Sequence, residues 1–202
     1  NQEKKFINQE TDNFQGKYIH YNANNGKVVT LNNTEKGIVT IYDASMNAET
    51  SFEVGALNPV NGKNVCISDN EYIYVCKGQN GFVIYDYNGN KVGGSKKSAN
   101  GVDVDDKYIY LAAGDGLAVL DKNATYVDKD GNTYNYKNAM SVYVHTDGTL
   151  FISDSDNARV LRADIDGNLI DTYKVPVSPL IPKDFVFKPL KSVMDSHGYL
   201  YV

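Results

Sequence analysis

One short apolar pattern repeats along this chain, and the repetition restricts the possible folds more than any other feature. A run of four aromatic and aliphatic residues recurs about every 40 residues, a period typical of repeat folds. Such runs favour β-strands, because aromatic and β-branched side chains pack well on a pleated surface. The copies are residues 72–75 (YIYV), 108–111 (YIYL), 149–152 (TLFI) and 199–202 (YLYV), with a weaker copy at 28–31 (VVTL).

Two flanking runs complete each repeat. A short apolar run precedes the motif, as at 65–67 and 102–104, and a further apolar run that closes on Asp follows it, as at 84–86 and 119–121. Four short strands in every repeat predict an all-β fold, a β-propeller of four-stranded antiparallel blades packed face to face. Almost no helix is expected, since no window shows helical periodicity. Hairpin signals support the strands: Asn88-Gly89, Asp147-Gly148, Asp166-Gly167 and His197-Gly198.

The repeats predict a single domain over residues 1–202. Residues 175–189 hold four of the five prolines and are predicted to form a crossover loop. About four and a half blades are expected, so that the propeller is incomplete at its C-terminal end, because a propeller protects its strand edges by closing its ring. The predicted blades lie at about 17–54, 64–96, 101–136 and 140–175, with a fifth starting near 189.

The fourth repeat resembles a known family. Residues 154–160 (DSDNARV), followed by 164–169 (DIDGNL), resemble the NHL repeat, and 189–202 resemble the start of another NHL blade. Residues 81–86 and 116–121 are similar to the LVIVD-type repeats of bacterial surface propellers. The resemblance implies a six-bladed ring, secreted or surface-anchored in a bacterium, that binds a ligand. It implies no particular activity, and it makes an extracytoplasmic location the expectation.

Composition narrows the classes of partner. The net charge is −5, the pI is about 5.2, and the lysines are scattered; a nucleic-acid binder would need a basic face. No run approaches the roughly 20 apolar residues of a transmembrane helix. His20, His145 and His197 lie far apart in sequence, and no nucleophile motif is present. The chain therefore carries no recognisable catalytic signature, and no cofactor is predicted.

The candidate binding residues lie on loops that open on one face of the predicted propeller. Asp154, Asp156 and Asn157 share the loop between the second and third strands of the fourth repeat. Two interpretations stay open for this loop. In the first, Asp154 and Asn157 cap the turn backbone while Arg159 pairs with a neighbouring blade. In the second, the oxygens of the loop help to bind a divalent cation. The full set of candidates is Asn64, Asn100, Asp115, Asn138, Asp154, Asp156, Asn157, Arg159 and Lys191.

Two functions are consistent with these residues. The first is a non-enzymatic propeller that binds a protein or carbohydrate through its loop-bearing face. Clusters of Asn and Tyr at 21–25 and 134–138 could hydrogen-bond and stack on a sugar. The alternative is a metal-dependent propeller enzyme of the lactone hydrolase or lyase type, with a divalent ion at the channel mouth. No Glu or His joins the predicted mouth residues, which weakens the alternative.

The two cysteines are predicted to be free. If Asp69 and Asn70 form the hairpin turn, Cys66 lies nearly opposite Ile73 and too far from Cys76 for a disulfide. Buried thiols are the expected state.

Overall fold

The computed structural model describes residues 16–32, 35–58, 65–125 and 136–202. These residues form five antiparallel sheets in chain order. The first sheet contains β1 (Gly16–Asn22), β2 (Lys27–Asn32), β3 (Ile38–Tyr42) and β4 (Ala48–Glu53), and the second contains β5 (Val65–Ser68), β6 (Tyr72–Cys76), β7 (Phe82–Asp86) and β8 (Lys91–Ser95).

The third sheet has three strands in the described residues: β9 (Gly101–Val104), β10 (Tyr108–Ala112) and β11 (Leu117–Asp121). The fourth contains β12 (Ala139–Val144), β13 (Leu150–Asp154), β14 (Arg159–Ala163) and β15 (Leu169–Tyr173), and the fifth contains β16 (Val193–Met194) and β17 (Leu200–Tyr201). One 3₁₀ turn, Ser155–Asn157, is the only helical element in these ranges. The all-β prediction is confirmed, and the described sheets do not close into a ring.

Apolar side chains hold consecutive sheets together face to face. In the second sheet, Ile73 and Val75 pack toward the first sheet, while Tyr74 and Cys76 pack toward the third. Both faces of the strand are thus buried, which explains its apolar sequence without alternation. The largest side chains of these layers, Tyr74, Tyr110, Phe82 and Phe151, are fully buried.

In the first sheet the second strand also packs against its neighbour through alternate residues, but the repeated motif starts one residue earlier than predicted. Val29 and Leu31 pack toward the second sheet, as Tyr74 and Cys76 pack toward the third. The copy of the motif in this sheet therefore begins at Lys27, one residue before the predicted start, because the direction in which a side chain faces, and not its apolar character alone, defines the repeat.

Aspartates close the turns between the third and fourth strands. The Asp86 carboxylate accepts the backbone N–H groups of Asn88 and Asn90 at 2.9 and 2.8 Å, and Asp164 accepts that of Asn168 at 2.7 Å. These Asx turns satisfy amides that the strands leave unpaired. They explain why each third strand ends in Asp, and they confirm the hairpin predicted at 164–168. Residues 128–132 (DKDGN) have nearly the same sequence as 164–168 (DIDGN), and the hairpin turn predicted there lies outside the described residues.

The cysteine prediction holds, although its register was wrong. Cys66 pairs with Val75, and Ser68 is the residue opposite Ile73. The turn lies one residue later than expected, because Asp69 pairs with Tyr72, and this shifts the pairing of the strands by two residues. Cys66 packs between the first and second sheets and Cys76 between the second and third. The two side chains point to opposite faces, and both thiols are free and buried.

No helix in the described residues is long and apolar enough to cross a membrane.

Candidate functional site

One face of the structure carries most of the predicted site residues. We call it the upper face; it contains the loops between second and third strands and the segments that lead into first strands. Backbone hydrogen bonds join these parts across neighbouring sheets: Ala99 donates to the carbonyl of Gly78 at 3.1 Å, and Ala139 donates to that of Gly114 at 2.7 Å. The face is therefore a connected surface supported by the strands below it.

Asp154 is the most buried of the predicted residues, with no exposed surface. Its Oδ1 accepts the backbone N–H groups of Lys137 and Asn138 at 3.1 and 3.3 Å. Its Oδ2 accepts the Asn157 amide at 2.7 Å and the Arg159 Nε–H at 2.8 Å. Burial raises the pKa of Asp154, but these hydrogen bonds outweigh burial and hold the pKa below its usual range. Four donors around one carboxylate support the capping interpretation of this loop.

The neighbours of Asp154 lie nearer the solvent. Asp156 is exposed; it accepts a hydrogen bond from the Asn138 amide at 3.3 Å, and the Lys188 ammonium lies 3.9 Å away. Arg159 pairs with Asp154 of its own sheet, and the predicted pairing of Arg159 with a neighbouring blade stays a prediction. Within the described ranges, no group of three or more His, Cys, Asp or Glu side chains could hold a metal ion; a cation at this loop stays a prediction.

The other predicted residues are dispersed. Asn100 is buried, and its Nδ2 donates to the carbonyl of Ala139 at 2.9 Å, while its buried Oδ1 has no hydrogen-bond partner among the described residues. Asp115 is exposed on the loop between β10 and β11. Asn64 lies outside the described residues. No hydrogen bond or ion pair joins Asn100 or Asp115 to Asp154 within the described residues.

Lys191 marks a different location, the inner edge of the structure where the first strands of consecutive sheets lie side by side; we call this edge the central channel. Its ammonium lies 5.7 Å from the centre of the Tyr18 ring, a cation–π contact between the lead into the fifth sheet and β1. The same charge lowers the pKa of His20 on β1 and acts on Asp103 of β9. Lys191 is therefore the predicted residue that joins ionisable groups from separate sheets.

Equivalent positions of the first strands carry the channel side chains. His20, Ile67, Asp103 and Tyr143 each occupy the position from which a side chain reaches the next sheet. The Ser68 amide donates to His20 Nδ1 at 3.1 Å, and the Val144 amide donates to an Asp103 oxygen at 2.8 Å. Tyr143 donates its hydroxyl to the carbonyl of Met194 at 3.2 Å. Ile67 packs in the apolar layer instead.

Glycine permits the close approach of two of these strands. A Cβ atom at Gly101 would lie 2.9 Å from both the carbonyl oxygen of Met140 and the Cα of Ser141. Because real Cβ contacts are longer, no other residue fits here without moving β12. The close approach brings Asp103 within reach of the Val144 amide.

Burial sets the ionisation of the channel groups. Burial raises the pKa of Asp103 to about 6, an effect that the Val144 and Val104 amides and the charge of Lys191 offset only in part. Burial, followed by the charge of Lys191, lowers the pKa of His20. Burial and the nearby cysteines raise the pKa of Tyr18 to about 12. A carboxyl group whose pKa is raised by burial and an imidazole whose pKa is lowered are typical of functional sites.

Reasoning from the sequence missed His20, Tyr18, Asp103 and Tyr143. The available signal was polar character at one repeated position: 20, 103 and 143 are polar where position 67 is Ile. The shifted start of the first repeat hid this alignment.

The segment that leads into the fifth sheet is the other distinctive feature of the upper face. We call residues 174–191 the proline-rich segment. The exposed fraction is 107% for Val177, 90% for Leu180, 68% for Val186 and 52% for Phe185. The segment contains four lysines and one aspartate, a net charge of +3 in a chain whose net charge is −5. It combines apolar side chains with positive charge.

No protein-family model matches this chain, and no curated protein matches it in sequence. Solved structures do match its fold. A streptogramin B lyase superposes with a TM-score of 0.64 at 16% identity, over 93% of this chain and 67% of that chain. Virginiamycin B lyase from Staphylococcus aureus superposes with a TM-score of 0.66 at 13% identity, over 94% of this chain and 64% of that chain. BamB from Moraxella catarrhalis superposes with a TM-score of 0.56 at 13% identity, over 76% of this chain and 51% of that chain.

This chain thus spans about two thirds of the length of the two lyases and about half that of BamB. Identities this low show the fold alone. All three neighbours are propellers, and the predicted fold is confirmed: the chain is a β-propeller built from antiparallel blades.

Proposed function

We propose that this chain is a non-enzymatic propeller that binds a partner protein on its upper face, outside the cytoplasm. The observation that carries this proposal is the exposure of Val177, Leu180, Phe185 and Val186 on one short segment. Contiguous apolar side chains are rarely left in water unless another surface covers them in use.

The proline-rich segment is held in position from its C-terminal end. Pro189 is buried. The hydroxyl of Ser192, the residue directly after the segment, lies 3.0 Å from the hydroxyl of Ser153 in the fourth sheet. Backbone hydrogen bonds from Ile181 to Ser178 and from Phe185 to Pro182 form two successive turns. Prolines restrict the chain further, so binding would cost less conformational entropy than it would for a flexible loop.

Charge indicates the kind of partner. The segment has a net charge of +3, while the rest of the chain is strongly acidic. An acidic protein surface with apolar pockets complements it, and opposite charge on the two surfaces would speed association.

The resemblance to NHL repeats gains support from the hydrogen bonds around Asp154. Three side chains of the 154–160 motif, those of Asp154, Asn157 and Arg159, bind one another. We infer membership of the NHL/LVIVD group, and with it a six-bladed ring in the whole protein. Fractionation of the source cells tests the proposed location: recovery of the protein with cytoplasmic markers alone would contradict it.

The binding proposal is tested with paired variants. Val177→Ser with Leu180→Ser removes apolar contacts from the segment, and Leu169→Ser with Ile170→Ser removes two comparably apolar, half-exposed side chains from β15. Proteins captured from the source cells by the wild type are identified, purified and titrated by biolayer interferometry. We expect the segment variant to bind at least about tenfold more weakly, since each buried large apolar side chain contributes roughly 1.5–3 kcal/mol. The β15 variant should bind as the wild type does.

Three results would overturn the proposal. The first is equal affinity of the segment variant and the wild type for every captured protein. The second is an equal loss in the β15 variant. The third is a loss confined to anionic phospholipid vesicles, which would assign the segment to a membrane surface instead of a protein.

A further inference from the structure

The central channel presents polar groups whose hydrogen-bonding and ion-pairing capacity is only partly used within the described part of the protein. No carboxylate lies within 4 Å of the Lys191 ammonium there. His20 accepts the Ser68 amide at Nδ1, so the neutral ring carries its proton on Nε2, which makes no hydrogen bond in the described residues. The Asp103 carboxylate accepts two backbone N–H groups and lacks a cationic partner among the same residues.

These groups occupy two levels of the channel. Tyr18 precedes His20 by two residues on β1, a separation of about 7 Å along a strand. Lys191 precedes Val193 by two residues, and Val193 occupies the position equivalent to Asp103, since both pair with the third residue of the repeated motif. Lys191 and Tyr18 therefore form the upper level, and His20 and Asp103 form the lower level.

The two levels offer different chemistry. The upper level holds a positive charge with an aromatic ring and a hydroxyl beside it. The lower level holds an N–H donor and a carboxyl group that can accept hydrogen bonds from hydroxyls. An ammonium donates strong, charge-assisted hydrogen bonds to a carboxylate. A carboxyl group with unused lone pairs accepts hydrogen bonds from hydroxyl groups.

We propose that this channel binds a small carboxylate that also carries hydroxyl groups, with the carboxylate at Lys191 and the hydroxyls at Asp103 and His20. The site shares only Lys191 with the proline-rich segment, whose exposed apolar side chains it does not use, and neither proposal depends on the other.

The charges that face the ligand predict tighter binding in mild acid. The groups around it are Lys191, His20, Tyr18, Tyr143 and Asp103, with Asp105 next to Asp103 on the turn. Ionised Asp103 repels an anion, and its pKa of about 6 means that it is mostly protonated at pH 5. Any protonation of His20 acts in the same direction on an anion. Linkage therefore predicts tighter binding at pH 5 than at pH 7.5, by about fivefold or more.

Calorimetric titration of the full chain with glucuronate, and with glucose as the uncharged analogue, tests the site. We expect glucuronate to bind and glucose to bind at least about tenfold more weakly, since a charged contact contributes roughly 1.5–3 kcal/mol. Lys191→Met should weaken glucuronate binding by a similar factor. The matched control is Lys188→Met, which removes an exposed lysine of the same segment and should change nothing. Asp103→Asn should remove most of the pH dependence of glucuronate binding.

Thermal melts of each variant confirm that it is folded. Equal affinity for glucose and glucuronate, unchanged binding in Lys191→Met, or no glucuronate binding at millimolar concentration at either pH would overturn the proposal. A full pH dependence in Asp103→Asn would overturn the role given to Asp103.

Discussion

Replacing Asp154 by Ala should destabilise the protein far more than the same change two residues later. The carboxylate is fully buried and accepts four hydrogen bonds, one of them from the Arg159 guanidinium. Its loss removes this acceptor from the Arg159 guanidinium, the Asn157 amide and two backbone amides. Removing one partner of a buried pair costs about 3–5 kcal/mol. Because the Arg159 side chain retains 22% exposure and can recover some water contacts, we expect a cost of about 3–4 kcal/mol.

Asp156→Ala is the matched control. The Asp156 side chain is 47% exposed, and its nearest cation is 3.9 Å away, so its loss should cost less than about 0.5 kcal/mol. For a chain of this length each kcal/mol lowers the Tm by roughly 2–4 °C. Asp154→Ala should therefore melt about 6–16 °C below the wild type, measured by circular dichroism, whereas the Asp156 variant should melt within about 2 °C of it.

The dependence of protein stability on pH distinguishes the contribution of the Asp154 charge from that of the side chain's shape. The pKa of Asp154 is lowered in the folded state, so its contribution is present above the unfolded value near 4 and is lost as the pH falls through the lower folded value. The stability gap between the wild type and Asp154→Asn should narrow below about pH 4. Equal melting of the Asp154 and Asp156 Ala variants would refute the structural role of this carboxylate and favour a role in binding.

Two further predictions follow from buried groups. The pKa of His20 is lowered by burial and by Lys191, so the wild type should lose free energy of unfolding relative to His20→Gln as the pH falls below about 6.5; an unchanged difference between pH 7.5 and 5 in urea titrations would contradict this. Burial raises the pKa of Cys66 and of Cys76, so Ellman's reagent should react slowly with the native protein and should titrate both thiols in guanidinium without reductant. A bridge detected by mass spectrometry would contradict the opposite facing of these two side chains.

The sheets could be predicted from sequence because the repeat encodes packing. The second strand of a blade is buried on both faces, so its apolar run is continuous and recurs in the same form at Tyr74 and Tyr110. The turns were also predictable, since an Asp such as Asp86 caps the same hairpin in successive sheets. Errors arose where the repeat begins one residue earlier than predicted, as at Lys27, and where a turn lies one residue later, as in the pairing of Cys66.

The candidate site was harder to predict, because a residue type does not show whether its hydrogen bonds are already used. Asp154 has the chemistry of a ligand, yet its two oxygens accept four donors within the fold. Asp103 sits in an apolar run, VDV, and only an alignment of the first strands indicates its position on the channel. The distinction depends on which side chains from different sheets come together, and a local pattern does not contain that information.

The first-strand position shared by His20, Ile67, Asp103 and Tyr143 explains how one repeat can carry function without losing its fold. The apolar layers are supplied mainly by the second and third strands, so this inner position is free of their packing constraint. Its side chain instead meets the backbone of the next first strand, as His20 meets the Ser68 amide and Asp103 meets the Val144 amide. A change of ionisation in the channel therefore alters contacts between sheets. Ligand binding at Lys191 and Asp103 would in this way be coupled to how firmly neighbouring blades are held together, which predicts that a bound carboxylate raises the Tm of the wild type and not that of Lys191→Met.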